Sequence, residues 1–271
     1  MRPSQSLLPL LERLKPDRIR VRPESSIFPT VWEFQSLSST SDTAQELADA
    51  DPKGFHVVTA LEQTKGRGQH GRTWASRKGH GLLISLVLPK DRPWSRPSLW
   101  CAWCATALAD LVCHHTSRSA RIKWPNDILV QGQKIAGILI EQSIAVVVGI
   151  GLNITPLGER SKEPLWENAC SLGDFMVPAP TLTEVTEGLL KRLEKGWLAL
   201  EGGDLQRLED SFARGLGLVD KQVLLETARE SYRGQVRSIR LGEIQLDLQE
   251  RGIRAFSPEE ILHIYPVEEG D

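Results

Sequence analysis

The segment from Gln63 to Trp74, Q-T-K-G-R-G-Q-H-G-R-T-W, sets three glycines among three cations, Lys65, Arg67 and Arg72. Glycines let backbone N–H groups approach an anion, and the cations add charge-assisted hydrogen bonds, so the loop has the composition of a carboxylate or phosphate cradle. Gly66, Gly68 and Gly71 also fit the dinucleotide pattern G-x-G-x-x-G, but that pattern needs a helix opening at the glycines, its N-terminus toward pyrophosphate. Here Arg72, Trp74, Gly79 and Gly81 lead into G-L-L-I-S-L-V-L (81–88), an apolar run that reads as a buried strand. Taken alone, the loop is either an anion cradle or a solvated basic hairpin.

Two further segments carry chemistry. In K-W-P-N-D (123–127), Pro125 sets a turn, and Asn126 and Asp127 place an amide beside a carboxylate where the chain re-enters a sheet. Lys134 then opens K-I-A-G-I-L-I-E (134–141), where it is either an anchor for a carboxylate or phosphate or a solvated strand end. In V-G-I-G-L-N (148–153), Gly149 and Gly151 interrupt a strand, which weakens it unless something flat must approach the backbone.

The elements that must hold these segments follow from periodicity. V-W-E-F-Q-S-L (31–37) alternates like a strand and ends in Ser38, Ser39, Thr40, Ser41 and Asp42, residue types that cap a helix, here through Ala44 to Ala50. F-H-V-V-T-A-L (55–61) is a second strand. A largely buried helix is expected from Pro97 to His115, then strands at 120–124, 127–130, 134–142 and 145–154, with hairpin turns between them. Adjacent strands without intervening helices imply an α+β fold with a mixed, largely antiparallel sheet packed with helices. Residues 181–215 carry helical spacing. After Gly217, K-Q-V-L-L-E-T, Y-R-G-Q-V-R-S-I, I-Q-L-D-L-Q and I-R-A-F-S-P-E-E-I-L-H-I-Y read as short strands of a small β-barrel. The expected organisation is an irregular lead-in with a short helix at 1–30, a main domain at 31–215 and a barrel at 216–271.

Composition bounds the function. The 271 residues hold 33 Lys+Arg against 35 Asp+Glu, a formal charge of −2, with 25% charged and 40% hydrophobic residues. That is an ordinary soluble globular balance, without the basic excess of a nucleic-acid-binding domain. Apolar stretches such as Ile144 to Leu152 fall short of the roughly 18 residues of a bilayer span, so no membrane association is expected. The N-terminal run is broken by Pro9 and Glu12, and four cysteines make no disulfide framework, so a cytoplasmic location is expected.

S-S-T-S (38–41), the 63–74 loop, K-W-P-N-D, K-I-A-G-I-L-I-E and G-I-G-L-N (149–153), in this order, resemble the motif set of biotin protein ligases. The resemblance covers about residues 31 to 265. It implies a class II synthetase-like catalytic domain with a C-terminal SH3-like barrel, of the monofunctional type lacking an N-terminal DNA-binding domain. It also implies an activity: ATP and Mg²⁺ convert biotin to biotinyl-5′-AMP, and the biotinyl group passes to a lysine of the biotin carboxyl carrier protein of acetyl-CoA carboxylase. The expected partners are that carrier, biotin and ATP, in a monomer or homodimer. Lipoate ligases, which are related, are the nearest alternative.

By the same resemblance, Arg67, Lys134 and Asp127 are the catalytic candidates, Asp127 orienting the acceptor lysine. Ser39, Thr40, Ser41, Gln63, Gly66, Arg67, Gln69, Lys134, Gly137, Gly149 and Gly151 are expected around biotin. Arg67, Arg72, Trp74, Lys123, Asn126, Lys134 and Asn153 are expected around ATP. No spacing signals a metal site, so Mg²⁺ is expected to travel with the nucleotide near Asn126 and Asp127. The chain departs from the family's G-R-G-R-x-G-R at Gln69, where an arginine is common. Trp100-Cys101-Ala102-Trp103-Cys104 matches a redox pattern superficially, but its apolar helical setting favours buried thiols.

Overall fold

The computed structural model describes residues 7–92, 96–158 and 168–267. Helices α1 (Leu8–Leu14), α2 (Thr40–Ala50), α3 (Pro97–Thr116), α4 (Leu182–Glu201) and α5 (Leu205–Leu216) pack around strands β1 (Arg18–Val21), β2 (Thr30–Phe34), β3 (His56–Ala60), β4 (Gly81–Leu88), β5 (Ala120–Lys123), β6 (Asp127–Val130), β7 (Gln133–Gln142) and β8 (Val146–Asn153). These eight strands form one sheet in the order β1-β2-β3-β4-β8-β7-β6-β5. Only β2 and β3 pair in parallel, across the α2 connection, and the other neighbours are antiparallel, so the sheet is mixed and largely antiparallel as expected.

Strand alternation sorts the side chains onto two faces. On β8, Val146, Val148, Ile150 and Leu152 join α3, α4 and α5 in the larger core cluster, whereas Val147 turns to the opposite face with α1 and α2. Helix α3 is buried along most of its length, with Asp110 and His114 exposed toward its C-terminal end, and Trp100, Trp103 and Trp197 meet at its contact with α4, Trp100 and Trp197 stacked with centroids 5.8 Å apart. Among the described residues no helix is long and apolar enough to cross a membrane.

From Leu7 onward the lead-in is more ordered than its prolines suggest. Leu7 and Leu10 are buried beside Trp32 and Leu47, and β1 pairs with β2 as an edge strand. Arg22, 8% exposed, reaches Glu187 and Glu194 of α4, and Arg20 pairs with Glu33 and Glu187. The β1 pattern R-I-R-V is too short and too charged to signal itself, and those distant acids make it tolerable.

Strands β9 (Gln222–Thr227), β10 (Ser231–Ile239), β11 (Ile244–Asp247), β12 (Ile253–Phe256) and β13 (Ile261–Pro266) form a second, fully antiparallel sheet in the order β12-β11-β10-β9-β13. No pairing among the described residues joins β12 to β13, so the expected barrel is an open sheet with two edge strands. Its inward residues Val223, Leu225, Val236, Ile244 and Leu246 belong to the same core cluster as α3 and the first sheet, and Trp124 Nε1 donates to Ile261 O at 3.2 Å.

Candidate active site

The first sheet is covered by α1 and α2 over only part of one face. Where α2 begins, the register aligns Ser85, Gly149 and Leu139 in one row across β4, β8 and β7, and Leu83, Gly151, Gly137 and Asp127 in the next row across β4, β8, β7 and β6. Small residues at these points leave a hollow of about 130 Å³ in place of a packed core. Its lining includes Ser39, Thr40, Ser41, Gln63, Arg67, Gln69, Arg72, Trp74, Asn126, Asp127, Lys134, Gly137, Gly149 and Gly151, so most of the sequence candidates converge on one cavity.

One end is made of hydroxyls. Ser39 caps α2, its side chain accepting from Ser41 N, which turns Thr40 and Ser41 inward on the first helical turn. Gln63 Oε1 accepts from Thr40 N at 2.7 Å and from Thr40 Oγ1 at 3.0 Å. Thr40 Oγ1 lies 2.8 Å from Ser85 Oγ, which lies 3.1 Å from Ser41 Oγ. A Cβ at Gly149 would come within 3.0 Å of Ser41 Oγ, so glycine there makes room for the hydroxyl.

The other end is cationic. Residues 66–74 fold on themselves, with Trp74 N donating to Gly66 O, Gly68 N donating to Arg72 O and Arg67 bridging Thr73. Lys65 N donates to Ser38 O, which ties the loop to the α2 cap. Arg67 Nη1 donates to Asp42 Oδ1 at 2.6 Å and Nη2 to Glu141 Oε1 at 3.2 Å. Burial works against the Arg67 cation, but Asp42 and Glu141 outweigh it and hold its pKa above the ordinary arginine value. Lys134 Nζ pairs with Asp127 Oδ1 at 2.6 Å and sits 5.5 Å from the centre of the Trp74 ring. That ring lies on Gly151: a Cβ at 151 would come within 2.2 Å of Trp74 Cε2. Asn126 fixes the turn beneath, Nδ2 donating to Ile138 O and its carbonyl accepting from Ile138 N.

Three candidates lie outside the lining. Gly66 is buried behind the loop, where a Cβ would meet Trp74 O at 2.4 Å. Asn153 is 7% exposed and its Nδ2 donates to Cys170 O, so its amide nitrogen is occupied by the backbone. Lys123 is exposed and lines a separate cleft with Lys221, Gln222 and Tyr265: it pairs with Asp127 in register, but β5 is the edge strand, one strand beyond the cavity. Conversely, pattern reading missed Ser85, Asp42 and Glu141. Ser85 is the one polar residue inside G-L-L-I-S-L-V-L, and that break was its available signal. Among the described residues no three His, Cys, Asp or Glu side chains cluster as a metal site. Cys101 Sγ lies 2.9 Å from Pro125 O, and burial pushes its thiol up to about 12, with Asp127 adding to the shift.

The profile of the Biotin/lipoate A/B protein ligase family matches residues 33–153. The chain is 34% identical over 189 residues to the biotin–[acetyl-CoA-carboxylase] ligase of Mycobacterium tuberculosis, covering 67% of this chain and 69% of that protein. It is 31% identical over 190 residues to the bifunctional ligase/repressor BirA of Bacillus spizizenii, covering 67% of this chain, and it spans 58% of that relative's length. The fold matches biotin protein ligase from Aquifex aeolicus with a TM-score of 0.75 at 22% identity, over 88% of this chain and 99% of that one. With this cavity in this fold, and that extent of likeness to the mycobacterial enzyme, the chain belongs to the biotin protein ligase family.

Proposed function

We propose that the protein is an ATP-dependent biotin protein ligase that activates biotin as biotinyl-5′-AMP and transfers it to a lysine of the biotin carboxyl carrier protein of acetyl-CoA carboxylase. The observation that carries this reading is a single cavity joining a neutral hydroxyl and amide end to a cationic end. Such a cavity suits a ligand with an uncharged polar ring and a carboxylate tail. Activation joins a carboxylate oxygen to the α-phosphorus of ATP and expels pyrophosphate. Charge grows on the phosphoryl oxygens, and Lys134, Arg67 and Arg72 would stabilise it.

Transfer requires a neutral amine, whereas a free lysine with a pKa near 10.4 is mostly charged at neutral pH. Lys134 Nζ pairs with Asp127 Oδ1, which leaves Oδ2 to take a proton from the acceptor ammonium; the amine would then form the bond to the acyl carbon as the acyl–phosphate bond breaks and AMP departs. Mg²⁺ would neutralise phosphate charge and enter with the nucleotide, since the cavity lining offers it one carboxylate, already paired. Closure of the 65–74 loop over the adenylate would exclude water, the competing nucleophile.

The test is intact mass of a biotin carboxyl carrier domain after incubation with the protein, ATP, Mg²⁺ and either biotin or lipoate. One biotinyl group, gained only with ATP, is expected. A lipoyl adduct would move the assignment within the family, and binding without any adduct would overturn the ligase reading.

A further inference from the structure

The hydroxyl end of the cavity has a definite proton order. Thr40 N can only donate, so the Gln63 atom it meets at 2.7 Å must be Oε1, which fixes the amide orientation. The Thr40 hydroxyl has one hydrogen, and its 3.0 Å contact with the same oxygen requires that hydrogen to point at Gln63. Its 2.8 Å contact with Ser85 must then be donated by Ser85, and the 3.1 Å contact between Ser85 and Ser41 by Ser41. The chain runs one way: Ser41 to Ser85 to Thr40 to Gln63. Ser85 is fully buried on β4, so no water replaces it in this order.

The order determines what the cavity presents. Gln63 has its two Nε2 hydrogens left to give. Thr40 and Ser41, whose hydrogens are committed inward, have only lone pairs left to offer. The complementary ligand carries a carbonyl acceptor next to ring N–H donors, the pattern of a cyclic urea. We infer that Ser85 is a positioning residue that takes the Ser41 hydrogen, so that Ser41, like Thr40 whose hydrogen Gln63 takes, faces the cavity as an acceptor, which makes the pocket selective for ring N–H groups. Ser85 need not touch the ligand to act in this way. The inference rests on the biotin reading above and deepens it.

The test compares the affinity of biotin with that of an analogue whose ring N–H is replaced by a ring oxygen, a cyclic carbamate of the same shape. In the native protein the analogue's oxygen meets locked lone pairs and binds poorly. In Ser85→Ala the Ser41 hydroxyl loses its acceptor and can rotate to donate, while Thr40 stays bonded to Gln63, so the biotin-to-carbamate affinity ratio should fall by about tenfold or more. Ser85→Cys, close in size but a weak hydrogen-bond partner, should behave alike and covers the case in which alanine does not fold. Ser85→Thr, which keeps the hydroxyl, should restore the ratio, and the KM for ATP should not change with it. An unchanged ratio in the Ala and Cys variants, or an equal loss for both ligands with a lower Tm, would mean that Ser85 is only structural. Failure of the native protein to bind biotin at all would instead remove the biotin reading itself, and this inference with it.

Discussion

At the hydroxyl end of the cavity Ser39, Thr40, Ser41 and Ser85 are at most 6% exposed and hold one another by hydrogen bonds, whereas at the cationic end the Arg67 and Lys134 side chains keep 41% and 39% of their surface in water and each already holds a carboxylate. The buried end cannot rearrange cheaply, because an unpaired buried hydroxyl or amide costs about 1–3 kcal/mol. The exposed end can, because solvent-exposed ion pairs contribute roughly 0–1 kcal/mol each. On the proposed reading, the end that would recognise a neutral ring is therefore built in advance. Arg67 and Lys134 are paired with Asp42, Glu141 and Asp127, and on the proposed reading a bound phosphate would displace those carboxylates.

Mutations at the two ends should separate into different kinetic signatures. The largest effect is expected for Lys134→Ala, which removes a cation that acts where charge develops: biotin-dependent ATP–pyrophosphate exchange should fall by about 10²–10³ in kcat, as for loss of one oxyanion donor. A loss confined to KM would break the contrast between the ends. Next, Thr40→Val removes the middle of the hydroxyl chain and leaves Gln63 and Ser85 each short of a partner. Its cost should appear as a rise of about tenfold or more in biotin KM, read in the same exchange assay.

Smaller effects sharpen the picture of paired cations. Glu141→Gln loosens one of the two carboxylates on Arg67, and ATP should bind about two- to fivefold tighter, an effect that added salt erases. An unchanged salt profile would mean that Arg67 does not exchange partners. Gln69 lines the cavity without charge. Gln69→Arg should reduce labelling of bystander proteins by escaped adenylate about twofold, since an added exposed cation contributes at most about 1 kcal/mol. Equal labelling would show that retention depends on loop closure and not on charge at 69.

Much of this was legible before any coordinates. The S-S-T-S cap, the loop glycines and the strands around Lys134 and Gly151 each carry a local signal, namely a capping residue, a turn residue or a period of two. The signal failed where the cause is distant. R-I-R-V becomes a strand because Glu33 and Glu187 receive its arginines, and Glu187 lies 167 residues from Arg20 in sequence. Lys123 and Lys134 look alike as lysines at strand ends, yet strand order puts Lys123 on the edge strand β5, outside the hollow, and Lys134 on β7, inside it. The carboxylates on Arg67 were invisible for the same reason, since Asp42 and Glu141 meet only once β7 lies beside the start of α2.

The core shared between the two sheets bears on how the chain can be taken apart. Trp124 closes the turn that carries Asn126 and Asp127, and the same indole is fastened to Ile261 at the start of β13. A C-terminal sheet attached in this way is not a modular appendage. Exchanging it for that of another ligase would transplant half of an interior, so chimeras and truncations cut near residue 216 should be judged as core mutants before any loss of activity is credited to a missing contact with carrier or nucleotide.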